Sequence, residues 1–392
     1  MRDNKQNVLI VHNYYKLPGG EGTVVSNEKK MLENYGHNVY LYSRDNKEID
    51  GFMLLQKAFL PFNYLFNIKT YREIKGIIKS KEIDVVHVHN TINIISPSVY
   101  YAAFAMKTPV VQTVHNFRFL CPNGLFYRDG RVCEDCVNYG LRCAIKHNCY
   151  RNSKLQTVLS VINMFIQRKL RLYSRLNYIC LTEFNKNKLL LLRQINNRNI
   201  FIKPNFTFNA SKDVNHNRKR QIVFGSRLDE NKGIKFLFET WKEYGEKAPE
   251  LLVYGDGELK DWCNAYIKQN RINNIKMMGQ VEPHILHNSI KESLATIFCS
   301  QLYEGFPMAI IESFSCATPV VCCNFGNHGS LIVDGVNGYR FTLYSKEECI
   351  DKIETIIGNK TIYDSTYSNY LDNYTEERNY KILKDIYDTI TN

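Results

Sequence analysis

Nowhere in the 392 residues is there a run of the ~18 uninterrupted apolar side chains that a membrane-spanning helix requires, so the chain is expected to be soluble or to lie on a membrane surface. The apolar core and cleavage site of an export signal are missing as well: polar residues 1–6 lead straight into the short run 8–11. Without export, the twelve cysteines are expected as reduced thiols or metal ligands rather than a disulfide framework, and the location as cytoplasmic. No internal repeat or low-complexity tract is present. Apolar residues at 44% and charged residues at 23% are ordinary for globular proteins, which excludes disordered and fibrous architectures.

The net charge of +12 is unevenly spread. Residues 1–200 hold 29 Lys and Arg against 14 Asp and Glu, a net of +15, and the remainder holds 22 against 25, a net of −3. A basic front half suits nucleic acid, anionic lipid or a phosphorylated substrate, and the sign alone does not choose among them.

The length favours two domains at about 100–200 residues each. Apolar strands alternate with helical patterns: strands at 7–12, 38–42, 85–89 and 109–114, helices at 21–35 and 96–106. That alternation is the pattern of a parallel α/β sheet. It breaks at 121–152, a Cys-, Gly- and Arg-rich insertion, and resumes with strands at 178–181 and 200–203. The polar stretch 209–220 reads as a linker, and a second α/β run follows with strands at 221–225, 251–254, 275–278, 296–299 and 319–323. The expected organisation is an N-terminal Rossmann-like domain over 1–205, a C-terminal one over 206–374, and an amphipathic helix in 375–392. Ligands of such sheets bind at the carboxyl ends of the strands, so two facing domains would hold a substrate pair in the cleft between them.

The sharpest motif is Glu304-Gly-Phe-Pro-Met-Ala-Ile-Ile-Glu312, two carboxylates eight residues apart around a strand-to-helix junction. Pro307 suits a first helical position, which would put the amides near Gly305, Phe306 and Met308 at a helix N-terminus able to hold phosphate oxygens. Glu304 could then reach a sugar hydroxyl and Glu312 a ribose; the alternative is a loop acid and a helix-surface Glu. Gly225-Ser-Arg227-Leu-Asp-Glu-Asn-Lys232-Gly233 also follows a strand and opens a helix, and Arg227 with Lys232 makes a sensible pair for a leaving diphosphate. Gly255-Asp-Gly257-Glu is a tight turn, more often structural than functional.

In the front half, Pro18-Gly19-Gly20-Glu21-Gly22 is not GxGxxG, so the dinucleotide fingerprint is absent, yet Gly19 and Gly20 would let backbone approach a pyrophosphate. His115-Asn116 ends a strand at the same kind of edge, where the imidazole could bond the transferred sugar; His87 and His89, alternating with Val, read as structural. Cys121, Cys133, Cys136 and Cys149 could close a structural zinc site in the insertion, or remain free or redox-active thiols. The helical segment 154–175 has an apolar face of Leu155, Val158, Leu159, Ile162, Phe165, Ile166 and Leu170 beside Arg168, Lys169, Arg171 and Arg175. It could lie in an anionic membrane interface or cover the N-terminal sheet, the second reading accounting fully for its apolar face.

The Gly19-Gly20 loop, Thr113-Val-His115-Asn, Arg227 with Lys232, Gly255-Asp-Gly-Glu and Glu304-x7-Glu312, five motifs in order, resemble the GT4 family of retaining glycosyltransferases over nearly the whole chain. The resemblance implies the GT-B fold, two Rossmann-like domains facing across a cleft with a C-terminal helix. It further implies that the Gly loop approaches donor diphosphate and acceptor, His115 contacts the transferred sugar, Arg227 and Lys232 bind diphosphate, Glu304 binds the sugar and Glu312 the ribose. Retention at the anomeric carbon is implied too, with front-face departure through an oxocarbenium-like state.

The metal-binding Asp-x-Asp of the other major glycosyltransferase fold is absent. No catalytic metal is therefore expected, its charge being replaced by Arg227, Lys232 and the helix end. Where Ser330 stands, family members often carry an acidic residue, so specificity is not read from that loop.

The expected function is transfer of a sugar from a nucleotide-sugar, a UDP-sugar by preference, to a lipid-linked or cell-surface polysaccharide acceptor. The protein would sit peripherally on the cytoplasmic face of an anionic membrane, with no nucleic-acid partner. The alternatives are a sugar-nucleotide epimerase or phosphorylase on a similar scaffold, a catalytically dead sugar-nucleotide sensor, and a basic nucleic-acid-binding protein.

Overall fold

The computed structural model describes residues 5–16, 19–208, 210–211 and 213–391. Pro18 of the glycine loop and Asn209 and Lys212 of the linker lie outside the described residues. The chain packs as two units. The first takes the chain up to Gly124, Glu134–Asn205 and the segment from Asn379 onward; the second takes Leu125–Cys133 and Phe206–Arg378.

The first unit is built on six parallel strands: β1 (Asn7–Tyr14), β2 (Asn38–Asp45), β3 (Val85–Asn90), β4 (Val110–Val114), and, beyond the short hairpin β5 (Tyr127–Arg128) and β6 (Arg131–Val132) of the second unit, β7 (Asn177–Cys180) and β8 (Ile200–Ile202). Their order is β2-β1-β3-β4-β7-β8. The second unit repeats the design with β9 (Lys219–Gly225), β10 (Glu250–Tyr254), β11 (Ile275–Gly279), β12 (Ser293–Phe298), β13 (Val320–Cys323) and β14 (Gly338–Phe341), ordered β11-β10-β9-β12-β13-β14. Strands covered by helices on both faces read as continuous apolar runs, and Val8–Val11 in β1 and Ile222–Phe224 in β9 are buried accordingly. In each sheet the chain order reverses beside the first strand, β1 or β9, which is where a doubly wound sheet opens a crevice at its carboxyl edge. Two Rossmann-like parallel sheets and a C-terminal helix are thus as expected, with β14 as a strand the periodicity did not reveal.

The helix Lys154–Lys169 departs from the reading of its apolar face as a sheet cover. Its buried residues are Thr157, Ser160, Met164 and Gln167, while Leu155, Ile162 and Phe165 are exposed. The polar inward face is satisfied: Tyr101 donates to Gln167 Oε1 (2.8 Å), and Thr157 Oγ1 donates to Ser153 O (2.7 Å) and accepts from Tyr150 N (3.0 Å). Its neighbour, the helix Leu54–Leu65, buries none of its residues and exposes Leu54 (86%), Leu55 (73%), Phe59 (60%) and Phe62 (68%). No described helix is long and apolar enough to cross a membrane.

The helix Glu376–Thr391 packs from Asn379 onward with the first unit, burying Asn379, Leu383, Ile386 and Tyr387. Its 3.6-residue spacing is what puts these four on one face.

Candidate active site

In the second unit, four loops meet at the carboxyl edge of the sheet. After β9 the chain crosses Ser226, Arg227 and Leu228, and the turn after β10 presses against it. A Cβ on Gly255, whose φ is +125°, would lie 1.9 Å from Ser226 O, and one on Gly257 would lie 2.7 Å from Leu228 N. Glycine is needed there so that Leu228 N can donate to Asp256 O (3.0 Å), which gives the Gly255-Asp-Gly257 turn a structural role. Arg227 points into solvent, 65% exposed, with Asp229 Oδ2 at 3.1 Å.

Six residues beyond Arg227, Gly233 (φ +78°) opens the helix Ile234–Tyr244, and a Cβ there would meet Cys299 O at 2.2 Å. That contact seats Lys232 beside the loop after β12. Lys232 Nζ donates to Glu304 Oε1 (2.6 Å), and Ser300 Oγ donates to the same oxygen (2.6 Å). Burial alone would raise the Glu304 carboxyl; the Lys232 charge and the two hydrogen bonds outweigh it and hold it below the usual range.

Glu304 itself has φ +51°, a left-handed backbone that non-glycine residues adopt at a cost of about 1–3 kcal/mol and keep only where the surroundings force it. The force is visible. Asn327 Nδ2 donates to Glu304 O (2.6 Å) and Gly305 O (3.0 Å), and Asn327 N donates to Tyr303 O (3.0 Å). Asn327 is fully buried, and Gly326 before it (φ +55°) leaves no room for a Cβ, which would sit 2.7 Å from Tyr303 Cα. Ser300 and Asn327 were not singled out from the sequence; the Gly-Asn pair just after a strand is the signal that could have found them. Ser330, in the same loop, donates to Asn327 O (2.7 Å).

The helix Met308–Ser315 begins one residue later than the proline suggests. Pro307 caps it in an extended conformation, so the free amides of the first turn are those of Met308 and Ala309, and Ile310 N already donates to Pro307 O (3.1 Å). Gly305 and Phe306 lie before the cap, Phe306 buried. Glu312 lines a cavity of about 60 Å³ with Gly225, Leu286, Phe298 and Ala309. Among the described residues nothing donates to its carboxyl, and burial pushes that carboxyl above the usual range. A partly buried acid without a donor is suited to receive hydroxyl groups.

In the first unit, Gly19 caps the helix Gly20–Asn34 in an extended conformation (φ −149°), with open space where a Cβ would stand. Gly19 and Gly20 are both exposed. His115, one residue past β4, lines a cavity of about 100 Å³ with His89, Thr91, Asn116 and Arg118. Burial first, then the neighbouring imidazoles, hold it well below the usual histidine range. The site residues thus divide: Arg227, Lys232, Glu304, Gly305, Phe306, Met308 and Glu312 belong to the second unit, and Gly19, Gly20 and His115 to the first.

The insertion's thiols gather around Cys136, which is pushed up to about 12 by burial first and then by Cys121, Cys149 and Cys143. Cys133 is counted with the second unit. Cys143 joins Cys121 and Cys149 among the thiols that act on Cys136. Among the described residues, the one group of three ligand types within mutual metal-binding reach is Glu28 with His87 and His89. Lys203 already occupies its carboxylate (2.5 Å), so that group is an ion-pair network rather than a metal cradle.

Residues 18–206 match the family described as glycosyltransferase family 4, and residues 206–378 the family described as glycosyl transferases group 1. An uncharacterized glycosyltransferase of Methanocaldococcus jannaschii is 22% identical over 366 residues, spanning 91% of this chain and 89% of that one. Among solved structures, the apo form of the lipopolysaccharide outer core galactosyltransferase WaaB superposes with a TM-score of 0.67 at 15% identity, over 98% of this chain and 99% of that one. Anabaena HepE in complex with UDP-glucose superposes with a TM-score of 0.63 at 16% identity, with the same coverage.

Proposed function

This chain belongs to the GT4-type glycosyltransferases and has the GT-B fold, and from that premise we propose that it moves a hexose from a UDP-sugar, with retention, onto a lipid-linked intermediate of a cell-surface polysaccharide. The observation that carries the donor half is the constrained Glu304, bonded by Lys232 and Ser300 at the carboxyl edge of the second sheet. Glu304 would bind the sugar, Lys232 and the amides of Met308 and Ala309 the diphosphate, and Glu312, facing its cavity, the ribose. Arg227 is exposed and would have to swing from Asp229 to join them. In the transfer, the bond from the anomeric carbon to the diphosphate oxygen breaks and the bond to the acceptor oxygen forms on the same face. The acceptor's proton passes to the departing diphosphate, whose growing charge Lys232 and the helix end stabilise without a metal.

Two likenesses support the substrate class: HepE is described with UDP-glucose, and WaaB acts on the lipopolysaccharide outer core. The acceptor half rests on the surface of the first unit. The exposed apolar residues of helices Leu54–Leu65 and Lys154–Lys169 flank a groove of about 300 Å³ that Lys57 and Arg151 also line. Exposed apolar side chains beside basic ones suit the headgroup layer of an anionic membrane, which would put the enzyme peripherally on the cytoplasmic face. Nothing in the comparisons favours an epimerase or a nucleic-acid-binding protein.

A thermal-shift screen of UDP-, GDP- and ADP-sugars tests the donor, since a ligand of the native state raises apparent stability. Stabilisation by a UDP-sugar, followed by acceptor-dependent release of UDP in the presence of a chelator and an anomeric configuration preserved by NMR, is the expected result. Failure of every nucleotide-sugar to stabilise the protein would remove the proposal.

A further inference from the structure

The polar core of the first unit is a continuous chain of side chains of which only His115 is expected to meet a substrate. β3 places His87 and His89 on one face of its sheet, and β4 continues into Thr113 and His115 beside them. His87 Nε2 meets Thr113 Oγ1 (2.7 Å) and its Nδ1 meets Tyr387 of the C-terminal helix (2.7 Å). His89 Nδ1 meets His115 Nε2 (2.9 Å) with the rings nearly coplanar, 21° apart. On its other side, His89 Nε2 lies 3.2 Å from Glu28 Oε2, within ion-pair reach but off the line of a hydrogen bond. Glu28, wholly buried on helix Gly20–Asn34, is tied through Oε1 to Lys203 Nζ (2.5 Å), which Asn379 Oδ1 also accepts from (2.9 Å).

We propose that Glu28, acting through His89, holds His115 in the tautomer whose hydrogen sits on Nε2, so that Nδ1 is left as a bare acceptor. An ionised carboxylate only accepts, so the arrangement is favourable with a hydrogen on His89 Nε2. A second hydrogen, on Nδ1, would make His89 a buried cation, and the carboxylate beside it, Glu28, is already paired with Lys203; an unpaired buried charge is strongly unfavourable. His89 Nδ1 therefore carries a lone pair. At 2.9 Å it accepts the hydrogen of His115 Nε2, and a neutral His115 has no second hydrogen to place on Nδ1.

Among the described residues, Nδ1 of His115 makes no hydrogen bond, and the residue lines the cavity described above. Resting on the glycosyltransferase reading proposed above, together with the role that the family resemblance implies for His115, a contact with the transferred sugar, the consequence is chemical. The sugar must bring the donor, a hydroxyl whose O–H grows more acidic as the ring acquires oxocarbenium character, so the bond strengthens toward the transition state. Glu28 and His89 are then positioning residues, two and one contacts removed from the sugar. Their glutamate and histidine chemistry is what sets which nitrogen of His115 faces the ligand.

The test is the tautomer itself. In the full chain labelled with ¹⁵N-histidine, a long-range ¹H–¹⁵N correlation spectrum distinguishes the two neutral tautomers, and the His115 signals are assigned by their loss in His115→Gln. The expected spectrum shows His115 protonated on Nε2. The double variant Glu28→Gln/Lys203→Met removes both charges together, leaving no unpaired ion. It is expected to release His115 into a mixture of tautomers and to lower kcat by about 2- to 10-fold, the worth of one neutral hydrogen bond, with donor KM unchanged. A hydrogen on Nδ1 in the wild type, or a folded double variant with unchanged tautomer and kcat, would overturn the relay. If the double variant does not fold, the wild-type spectrum alone decides. His115→Ala separates the two ideas: wild-type activity there overturns the sugar contact, whereas Nδ1 protonation overturns the relay alone.

Discussion

Replacing Leu54 and Phe62 together by glutamate should release the protein from anionic membranes and leave its fold intact. Both side chains stand on a helix that buries none of its residues, 86% and 68% exposed, so neither contributes to the core. Fully burying a Leu or Phe is worth about 1.5–3 kcal/mol; scaled by those exposures, each would gain on the order of 1–2 kcal/mol on entering the acyl boundary. Two new negative charges at a surface carrying anionic lipid add a penalty of about 1 kcal/mol each. The combined loss, roughly 5 kcal/mol, corresponds to at least a thousandfold weaker partitioning. Surface substitutions of this kind usually change stability by less than about 0.5 kcal/mol, so Tm should hardly move. Co-sedimentation with vesicles of phosphatidylglycerol and phosphatidylcholine, against phosphatidylcholine alone, at low and high salt, measures both contributions. Wild-type protein should bind the anionic vesicles, less so in high salt. A double variant that sediments like the wild type, or a wild type indifferent to lipid charge and salt, would refute the membrane face.

The two carboxylates of the donor motif should fail differently. Glu304→Gln should mainly lower kcat, because its sugar contact tightens as charge develops, while Glu312→Gln should raise donor KM by roughly 10- to 150-fold, the worth of about 1.5–3 kcal/mol for a charged hydrogen bond to a ribose that changes little; steady-state kinetics on folded variants reads both. UDP affinity should also depend on pH through Glu312. Its carboxyl is raised in the free protein and must be ionised to accept ribose hydroxyls, so affinity is full above that raised pKa and falls as pH drops through it; titration calorimetry should find the dependence lost in Glu312→Gln. Finally, the thiols around Cys136 are proposed to close on one structural zinc, giving one metal per chain by elemental analysis without chelator; metal near zero with every thiol of the insertion reactive removes the ion.

Most strands were legible because a parallel strand buried on both faces is apolar along its length, as 8–11 and 222–224 are. Helix faces were less so. The apolar stripe of Leu155, Ile162 and Phe165 is an ordinary inward pattern, and only the observation that Thr157, Ser160 and Gln167 find partners underneath shows that this helix is turned the other way. Periodicity tells that a stripe exists, and the neighbouring polar groups decide which side is dry. Lys232 and Glu304 could each be placed after a strand, but their 2.6 Å contact depends on Gly233 and Gly326 letting two loops approach within backbone contact, which no single motif encodes. His87 and His89 were read as structural from their alternation with valine. Their partners Glu28, Lys203 and Tyr387 come from helices and strands far along the chain, and such long-range pairing leaves no local trace.

The return of the segment from Asn379 to the first unit has a consequence for how the protein is made. On a ribosome the chain emerges from its N-terminus, and the whole of Phe206–Arg378 must appear before Asn379 and Tyr387 can reach Lys203 and His87. At about 5–20 residues per second that interval is on the order of ten seconds or more. During it, the nascent first unit holds a lysine and a histidine whose last partners have not yet been synthesised, while the strands of the second unit, the last ending at Phe341, are all made before Asn379 appears. The order of completion is therefore the reverse of the order of synthesis: the half translated first finishes last, and in the interim its polar core stays open to water and to chaperones.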